Sequence, residues 1–298
     1  MCISCVRFPY IAHIICTSTT TIYHSHNTKQ IFHQGHSGAG LISNALSGAF
    51  DSTLVVSEHT ALHSALSACD VIHNRYKSDN CSSSKQEKLI KDIITLLGRT
   101  DDMSIEHLFL KFESASTAYL STIRKLYPMA KWTFSYRKAE ETLSKSMERK
   151  RNVTCLKAKR NPTMALANKS SANNLDLEQL SSHEVCALHL STLFEEAVKE
   201  HDASGTGMLI SYDDILESNT IIIDKVLPYL GLQVDTQETK ERVSDILKTR
   251  SNSRSSKKSG KAWDISEEGE IEISQEVHEA VKKFMSGLDW DGEEKKQV

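Results

Sequence analysis

Proline and glycine are scarce in this chain, which has four prolines and twelve glycines among 298 residues. An all-β fold of many short strands depends on these residues for its tight turns, so their scarcity argues against one and favours helices. The formal net charge is only -3, and it gives no reason to expect a nucleic-acid partner. With 39% hydrophobic and 25% charged residues, the composition is that of a globular protein.

Two cysteine pairs at metal-ligand spacing, as a zinc site needs, are also lacking. The seven cysteines are scattered, and only Cys2 and Cys5 are separated by two residues. No second pair follows them, so the pattern predicts neither a zinc site nor a disulfide framework. We therefore expect most of the cysteines to be reduced and buried.

A long apolar run that could cross a membrane is missing as well. Residues 1–28 are fairly apolar, but Arg7, Pro9 and His13 interrupt them. The stretch is too short and too broken to predict a transmembrane helix. A signal peptide, a weak anchor and a loose leader are three open interpretations of it.

The stretch from Lys29 to Glu58 predicts a strand, a glycine turn, a helix and a second strand. The strand is Lys29–Gln34, and small residues then crowd into Gly35–Gly40. The helix is predicted over Leu41–Ala49 from its apolar spacing, and the second strand over Thr53–Ser57. A glycine turn that leads into a helix exposes backbone N–H groups at the positive end of the helix dipole. We expect an anion site there, most often one for phosphate.

The same turn argues against an ordinary ATPase or GTPase. Gly35 and Gly40 have the spacing of a Walker A loop, but Leu41 and Ile42 follow where lysine and a hydroxyl residue should stand. A kinase is disfavoured for the same reason. The plain alternative is a tight strand-to-helix turn that binds no ligand.

The rest of the chain continues to alternate strands with helices. Further strands are predicted over His107–Phe112, Lys131–Tyr136 and Met208–Ser211. Helices are predicted over His59–Lys77, Lys85–Arg99, Ala115–Tyr127, Lys138–Glu148, Leu175–His201, Asn219–Leu232, Thr236–Thr249 and Ser274–Leu288. This order indicates a three-layer α/β fold with a central parallel sheet of about five strands. We expect one domain over residues 29–288, a loose segment over 1–28, a basic irregular insertion at Arg149–Asn174 and a polar tail over 289–298.

Polar residues follow the predicted strands where each one ends. Glu58, Lys111 and Arg137 occupy such positions, beside the glycine turn. Because ligands bind at the carboxyl edge of a parallel sheet, these groups indicate one site. Each also has an ordinary alternative: Glu58 could cap a helix, Lys111 could extend to solvent, and Arg137 could pair with Glu140 or Glu141.

Four stretches carry a resemblance to a known family. They are GHSGAGLISNAL, the strand that ends at Ser57–Glu58, KFESASTAYLSTIRKLYPMAKWTFSYR and MLISYDDILESNTIIIDKVLPYLGL. In that order they resemble the P-loop sulfotransferases, which use 3'-phosphoadenosine 5'-phosphosulfate (PAPS). The likeness covers about Lys29–Leu232 in pieces. It leans toward the tyrosylprotein and carbohydrate sulfotransferases, which place a glutamate after the second strand.

The resemblance implies a role for the glycine turn. Its backbone N–H groups would hold the 5'-phosphosulfate, and the residues concerned are Gly35, Ser37, Gly38, Ala39 and Gly40. His36 stands where the family has lysine or arginine, and would stabilise charge on the leaving oxygen if the neighbouring anion raised its pKa.

The resemblance also implies groups for the 3'-phosphate. Arg137 would bind it through charge-assisted hydrogen bonds. Lys145 stands at the position of a family serine, between Ser144 and Ser146. The basic stretch RSNSRSSKKSGK would supply Lys257 and Lys258 as part of a closing loop; its composition alone indicates a solvated loop.

For the chemistry, the resemblance implies Glu58 as the general base for an acceptor hydroxyl, with His59 as the second candidate. It implies PAPS as the co-substrate and no metal. The acceptor would be a carbohydrate, a protein tyrosine or a small molecule.

Departures from the family pattern leave a second hypothesis open, that of a degenerate, non-catalytic nucleotide-binding protein. They are His36, Ala39, Gly40, Lys138 and Lys145. The compartment, cytoplasm or Golgi lumen, also stays open, and membrane association is expected only if residues 1–28 are an anchor.

Overall fold

The computed structural model describes residues 28–70, 82–148, 154–218, 220–248 and 271–288. No helix within these ranges is both long enough and apolar enough to cross a membrane. The predicted loose segment, apart from Thr28, lies outside the described residues, as do the polar tail and the basic stretch with Lys257 and Lys258.

The strands and helices alternate along most of the chain. The strands are β1 (Thr28–His33), β2 (Thr53–Ser57), β3 (His107–Lys111), β4 (Trp132–Tyr136) and β5 (Gly207–Ser211). The helices are α1 (Ala39–Ala49), α2 (Thr60–Leu66), α3 (Ser83–Leu97), α4 (Leu120–Leu126), α5 (Ala139–Glu148), α6 (Thr154–Arg160), α7 (Met164–Ala172), α8 (Ser182–Ser204), α9 (Tyr212–Glu217), α10 (Leu227–Tyr229), α11 (Gln237–Leu247) and α12 (Gln275–Phe284). A 3-10 turn, Ser114–Tyr119, precedes α4, and a π-helical turn, Ile222–Val226, precedes α10.

The strands form one sheet in the order β2-β3-β1-β4-β5, and all the pairs are parallel. β1 lies at the centre, where Ile31 pairs with Lys111 of β3 and with Thr133 of β4. The predicted three-layer α/β fold with a five-stranded parallel sheet is confirmed. All carboxyl ends of the strands therefore lie at one edge.

Alternate residues of the strands face the two helical layers, and the sheet is buried on both sides. Phe32, Leu110 and Trp132 pack into the layer formed by α2, α3, α4 and part of α8. Ile31 and Phe109 pack into the opposite layer with α1 and α11. This two-sided burial holds the strand ends rigidly and fixes the positions of the groups that follow them.

The interpretation of Arg149–Asn174 as an irregular insertion is wrong for its described part, which contains α6 and α7. Cys155 and Ala158 are buried on the inner side of α6, while Lys157 and Arg160 are exposed. Thr163 caps α7 by accepting a hydrogen bond from the backbone of Leu166. The helix was missed because basic residues dominate this stretch and only a few apolar residues form the buried face of α6.

The expectation of reduced cysteines is also wrong where the structure describes them. Cys155 on α6 forms a disulfide with Cys186 on α8, and Cys69 is disulfide-bonded too. Cys155 and Cys186 are 31 residues apart in the sequence. Such a distance leaves no local spacing pattern, because the pairing depends on how α6 packs on α8.

The long helix α8 begins later than predicted, at Ser182 instead of Leu175. Ser181 accepts a hydrogen bond from the backbone of Glu184, whose side chain in turn accepts one from the backbone of Ser181. This capping box satisfies two donors at the start of the helix and fixes its first residue.

Candidate functional site

The loop between β1 and α1 curls through the left-handed region of backbone conformation. Gly35, His36 and Gly38 have φ angles of 104°, 52° and 83°. Backbone that alternates in this way turns successive N–H groups toward one side and forms a concave anion site. The N–H groups of residues 37–40 donate to no other protein group in the described part of the chain. No side chain caps α1, so the positive end of its dipole also faces this loop.

Two contacts fix the loop in place. Ser37 is 1% exposed, and its hydroxyl donates to the carbonyl oxygen of Ser135 on β4 over 2.7 Å. A Cβ on Gly38 would lie 2.9 Å from Cδ2 of Tyr212 and 3.0 Å from Cδ1 of Ile215. The hydroxyl of Ser37 is thus used inside the protein, and the backbone is the part of the loop that can bind a ligand.

Glu58, directly after β2, is held by the neighbouring strands. Its Oε1 lies 2.7 Å from Nζ of Lys111 and 3.5 Å from Nε2 of His33. Its backbone N–H donates to the carbonyl oxygen of Lys111 over 2.7 Å. Glu58 has a φ of 50°, which is unusual outside glycine and is often found at functional sites.

Glu58, Lys111 and His33 form a cluster in which neighbouring groups shift the pKa values of Glu58 and His33. The hydrogen bond from His33 and the Lys111 ammonium hold the pKa of Glu58 well below its usual range, although burial opposes them. Burial lowers the pKa of His33 and outweighs the contact with Glu58, which raises it; the nearby Lys111 adds to the lowering. The cluster therefore contains a carboxylate, an ammonium and a neutral imidazole.

Arg137, at the end of β4, is 4% exposed and is held on three sides. Its Nε lies 2.6 Å from Oε2 of Glu141, and its guanidinium stacks 4.6 Å above the ring of Tyr212. Its backbone N–H donates to Oε1 of Gln34 over 3.1 Å. The ion pair with Glu141 is one of the alternatives that the sequence predicted.

The order of the strands places these groups around the loop. The loop follows β1, with β3 and its Lys111 on one side and β4 and its Arg137 on the other. Since neighbouring strands lie about 4.8 Å apart, Glu58 and Arg137 follow strands that are roughly 14 Å apart. An anion in the loop would have the carboxylate and lysine on one flank and the guanidinium on the other.

Two other sequence candidates take up surface positions. His59 is exposed and caps α2, with its Nδ1 accepting from the backbone of Ala61 over 3.3 Å. Lys145 lies on α5, and its Nζ is 3.2 Å from Oε1 of Glu148. Beside it, the Ser144 hydroxyl is buried and has no hydrogen-bond partner among the described residues.

The sequence interpretation missed several polar contacts at this edge. His33 and Gln34 were assigned only to the first strand, and nothing in their spacing marks them. Gln34 is buried, and its Nε2 has no partner within the described ranges. His63 was also missed, and its Nδ1 lies 2.8 Å from the hydroxyl of Ser116. Within the described ranges, no group of three or more histidine, cysteine, aspartate or glutamate residues could hold a metal ion.

The fold is similar to that of sulfotransferases of known structure. The sulfotransferase STF9 from Mycobacterium avium aligns at 10% identity over 76% of this chain and 68% of its own, with a TM-score of 0.47. The sulfotransferase domain from the curacin biosynthetic pathway aligns at 9% identity over 90% of this chain and 99% of its own, with a TM-score of 0.48. Mouse sulfotransferase SULT7A1, solved with PAP, aligns at 12% identity over 90% and 88%, with a TM-score of 0.42. No protein-family model matches the chain, and no curated protein matches it.

Proposed function

We propose that this chain transfers a sulfuryl group from PAPS to a hydroxyl-bearing acceptor, which is a carbohydrate, a protein tyrosine or a small molecule. One observation carries the proposal: an open nest of backbone N–H groups lies between a carboxylate–lysine pair and a buried guanidinium. The sequence motifs that resemble the sulfotransferases supply these same groups. Their order along the sheet edge suits a ligand with two separate anionic ends.

The loop and its surroundings fit the donor. The backbone N–H groups from Ser37 to Gly40, together with Gly35, would hold the 5'-phosphosulfate at the start of α1. Arg137 would hold the 3'-phosphate. The unpartnered hydroxyl of Ser144 is a second candidate there, one residue from the Lys145 that the sequence predicts.

When bound, PAPS supplies an activated sulfuryl group with a phosphate as its leaving group. The loop N–H groups and His36 would stabilise the negative charge on that phosphate. Glu58 would take the proton of the acceptor hydroxyl. Its lowered pKa keeps it ionised, while Lys111 fixes its position.

A non-catalytic nucleotide-binding protein is the second candidate. The observation that favours it is the state of Arg137, whose charge is already balanced by Glu141 at 2.6 Å. The exposed His36 in place of a lysine or arginine points the same way.

The first test is calorimetric titration of the full chain with 3'-phosphoadenosine 5'-phosphate (PAP), the product of PAPS. We expect micromolar binding by the wild type and at least tenfold weaker binding by Arg137→Ala. Arg137→Lys keeps the charge and should retain part of the affinity if Ala disturbs the fold. Failure of the folded wild type to bind PAP would overturn the proposal.

A transfer assay then separates the two candidates. The chain is incubated with PAPS carrying labelled sulfur and a panel of carbohydrates, tyrosine peptides and phenols. Label on an acceptor that disappears in Glu58→Gln supports the transferase. PAP binding without transfer to any member of the panel favours the non-catalytic protein.

A further inference from the structure

His33 has a place in the site that the proposed reaction does not yet use. It ends β1 and is 8% exposed. Its Nε2 lies 3.0 Å from the carbonyl oxygen of Phe112 and 3.5 Å from Oε1 of Glu58. Its own carbonyl oxygen accepts a hydrogen bond from the hydroxyl of Thr117 over 3.2 Å, which fixes the backbone beneath the ring.

The partners of His33 determine where its proton lies. A carbonyl oxygen can only accept, so the Nε2 atom that faces Phe112 carries the hydrogen. The same Nε2 atom lies 3.5 Å from Oε1 of Glu58, close enough for a second, weaker contact. The ring can donate in this way in its neutral form, without a charge of its own.

A neutral ring also satisfies the charge balance of the cluster. Lys111 is 7% exposed and already supplies one positive charge to Glu58. An imidazolium at His33 would add a second buried cation beside the Glu58 carboxylate, which is unfavourable without another anion. His33 and Lys111 both approach Oε1 of Glu58, from β1 and β3 respectively.

We propose that His33 is a positioning residue that, as a neutral donor, holds the Glu58 carboxylate in the orientation that accepts the acceptor's proton. The catalytic role of His33 rests on the proposed function, whereas the contacts of His33 do not. A donor from β1, added to the Lys111 donor from β3, restricts rotation of the carboxylate.

The test uses the full chain with ¹⁵N-labelled histidine and ¹³C-labelled glutamate. His33→Phe keeps a ring and removes the donor, while His33→Gln keeps a donor near the position of Nε2. Comparison of the wild-type spectrum with those of the His33 variants assigns the His33 signal. Comparison with the spectrum of Glu58→Gln assigns the Glu58 signal. Thermal unfolding checks that each variant is folded.

We expect the wild-type His33 ring to remain in the neutral, Nε2-protonated form from pH 5 to pH 8. We expect His33→Phe to raise the proton affinity of Glu58 at least tenfold and His33→Gln to change it less than threefold. A ring that becomes doubly protonated near pH 6.5, or a Glu58 titration unchanged in His33→Phe, would overturn the proposal. If His33→Phe does not fold, the wild-type ¹⁵N spectrum decides.

PAP titration of the same samples separates this inference from the proposed function. His33 makes no contact with the loop N–H groups in the described hydrogen bonds, so His33→Phe should bind PAP within threefold of the wild type. Absence of PAP binding in the wild type would overturn the transferase proposal. The ring and carboxylate spectra would still decide whether His33 holds Glu58.

Discussion

Arg137, which is buried, and Glu141, which is partly buried, form an ion pair at the start of α5, with Nε 2.6 Å from Oε2. The guanidinium proposed to bind the 3'-phosphate is thus already engaged by a carboxylate from the helix that follows it. A phosphate must compete with Glu141 or share the guanidinium with it. The affinity for a phosphorylated nucleotide should therefore depend on that carboxylate.

The first prediction concerns this competition. Glu141→Gln removes the carboxylate's charge and should tighten PAP binding about fivefold, which corresponds to about 1 kcal/mol. Glu140→Gln is the matched control, because Glu140 lies on the same helix and pairs with His278 instead. Calorimetric titration of both variants measures the effect. Equal tightening by the two substitutions would show a general charge effect and contradict the competition.

The second prediction concerns Lys111. The hydrogen bond from His33 and the Lys111 charge lower the folded-state pKa of Glu58, so its contribution to stability is fully present above the unfolded pKa of about 4.3 and is lost as the pH falls through the much lower folded pKa. Lys111→Met should reduce the free energy of unfolding by about 2 kcal/mol at pH 7, and by much less in a Glu58→Gln background, where the carboxylate charge is absent.

Urea unfolding of Lys111→Met in the two backgrounds measures this difference. Lys88→Met is the control, because Lys88 pairs with Asp92 at 2.6 Å on an exposed surface of α3. That pair should contribute less than about 1 kcal/mol. A loss in Lys111→Met that is the same with and without the Glu58 carboxylate would assign it to packing and not to charge.

The third prediction uses two glycines with the same backbone angle. Gly38 and Gly231 both have a φ of 83°, but a Cβ at Gly38 would meet Tyr212 at 2.9 Å, whereas at Gly231 nothing lies within 4 Å. Gly231→Ala should lose about 1–2 kcal/mol from backbone strain alone. Gly38→Ala should lose more and should bind PAP at least tenfold more weakly. Equal losses of stability, with PAP affinity intact, would contradict the role of the loop.

The fourth prediction concerns the disulfide between Cys155 and Cys186. Its removal in Cys155→Ser/Cys186→Ser should lower the free energy of unfolding by about 3–4 kcal/mol, because the closed loop restricts the unfolded chain. Urea unfolding without reductant measures the loss. Cys69→Ser serves as the separate control for the other disulfide-bonded cysteine. A double variant as stable as the wild type would show that packing of α6 on α8 is sufficient.

The sequence predicted the sheet and several of the polar residues that follow its strands. Each strand is a short apolar run between helices, and the rule for parallel sheets then places Glu58, Lys111 and Arg137 together. The pairing of Arg137 with Glu141 was also foreseeable, because four residues separate them at a helix start.

Other features depend on packing that the sequence does not display. His33 meets the carbonyl of Phe112 across 79 residues, and that contact exists only because β1 lies next to β3. The helix α6 was missed because its basic residues outnumber the two positions that it buries. The pairing of Cys155 with Cys186 was missed for the same reason, since it requires α6 to lie against α8.

The disulfide between α6 and α8 also determines the effect of a single proteolytic cleavage. The chain between Cys155 and Cys186 forms a covalent ring that contains α7 and the start of α8. A protease that cleaves once inside this ring leaves both halves of the protein joined. The N-terminal half, with the glycine loop and Arg137, would then separate from the C-terminal half only after a reductant is added.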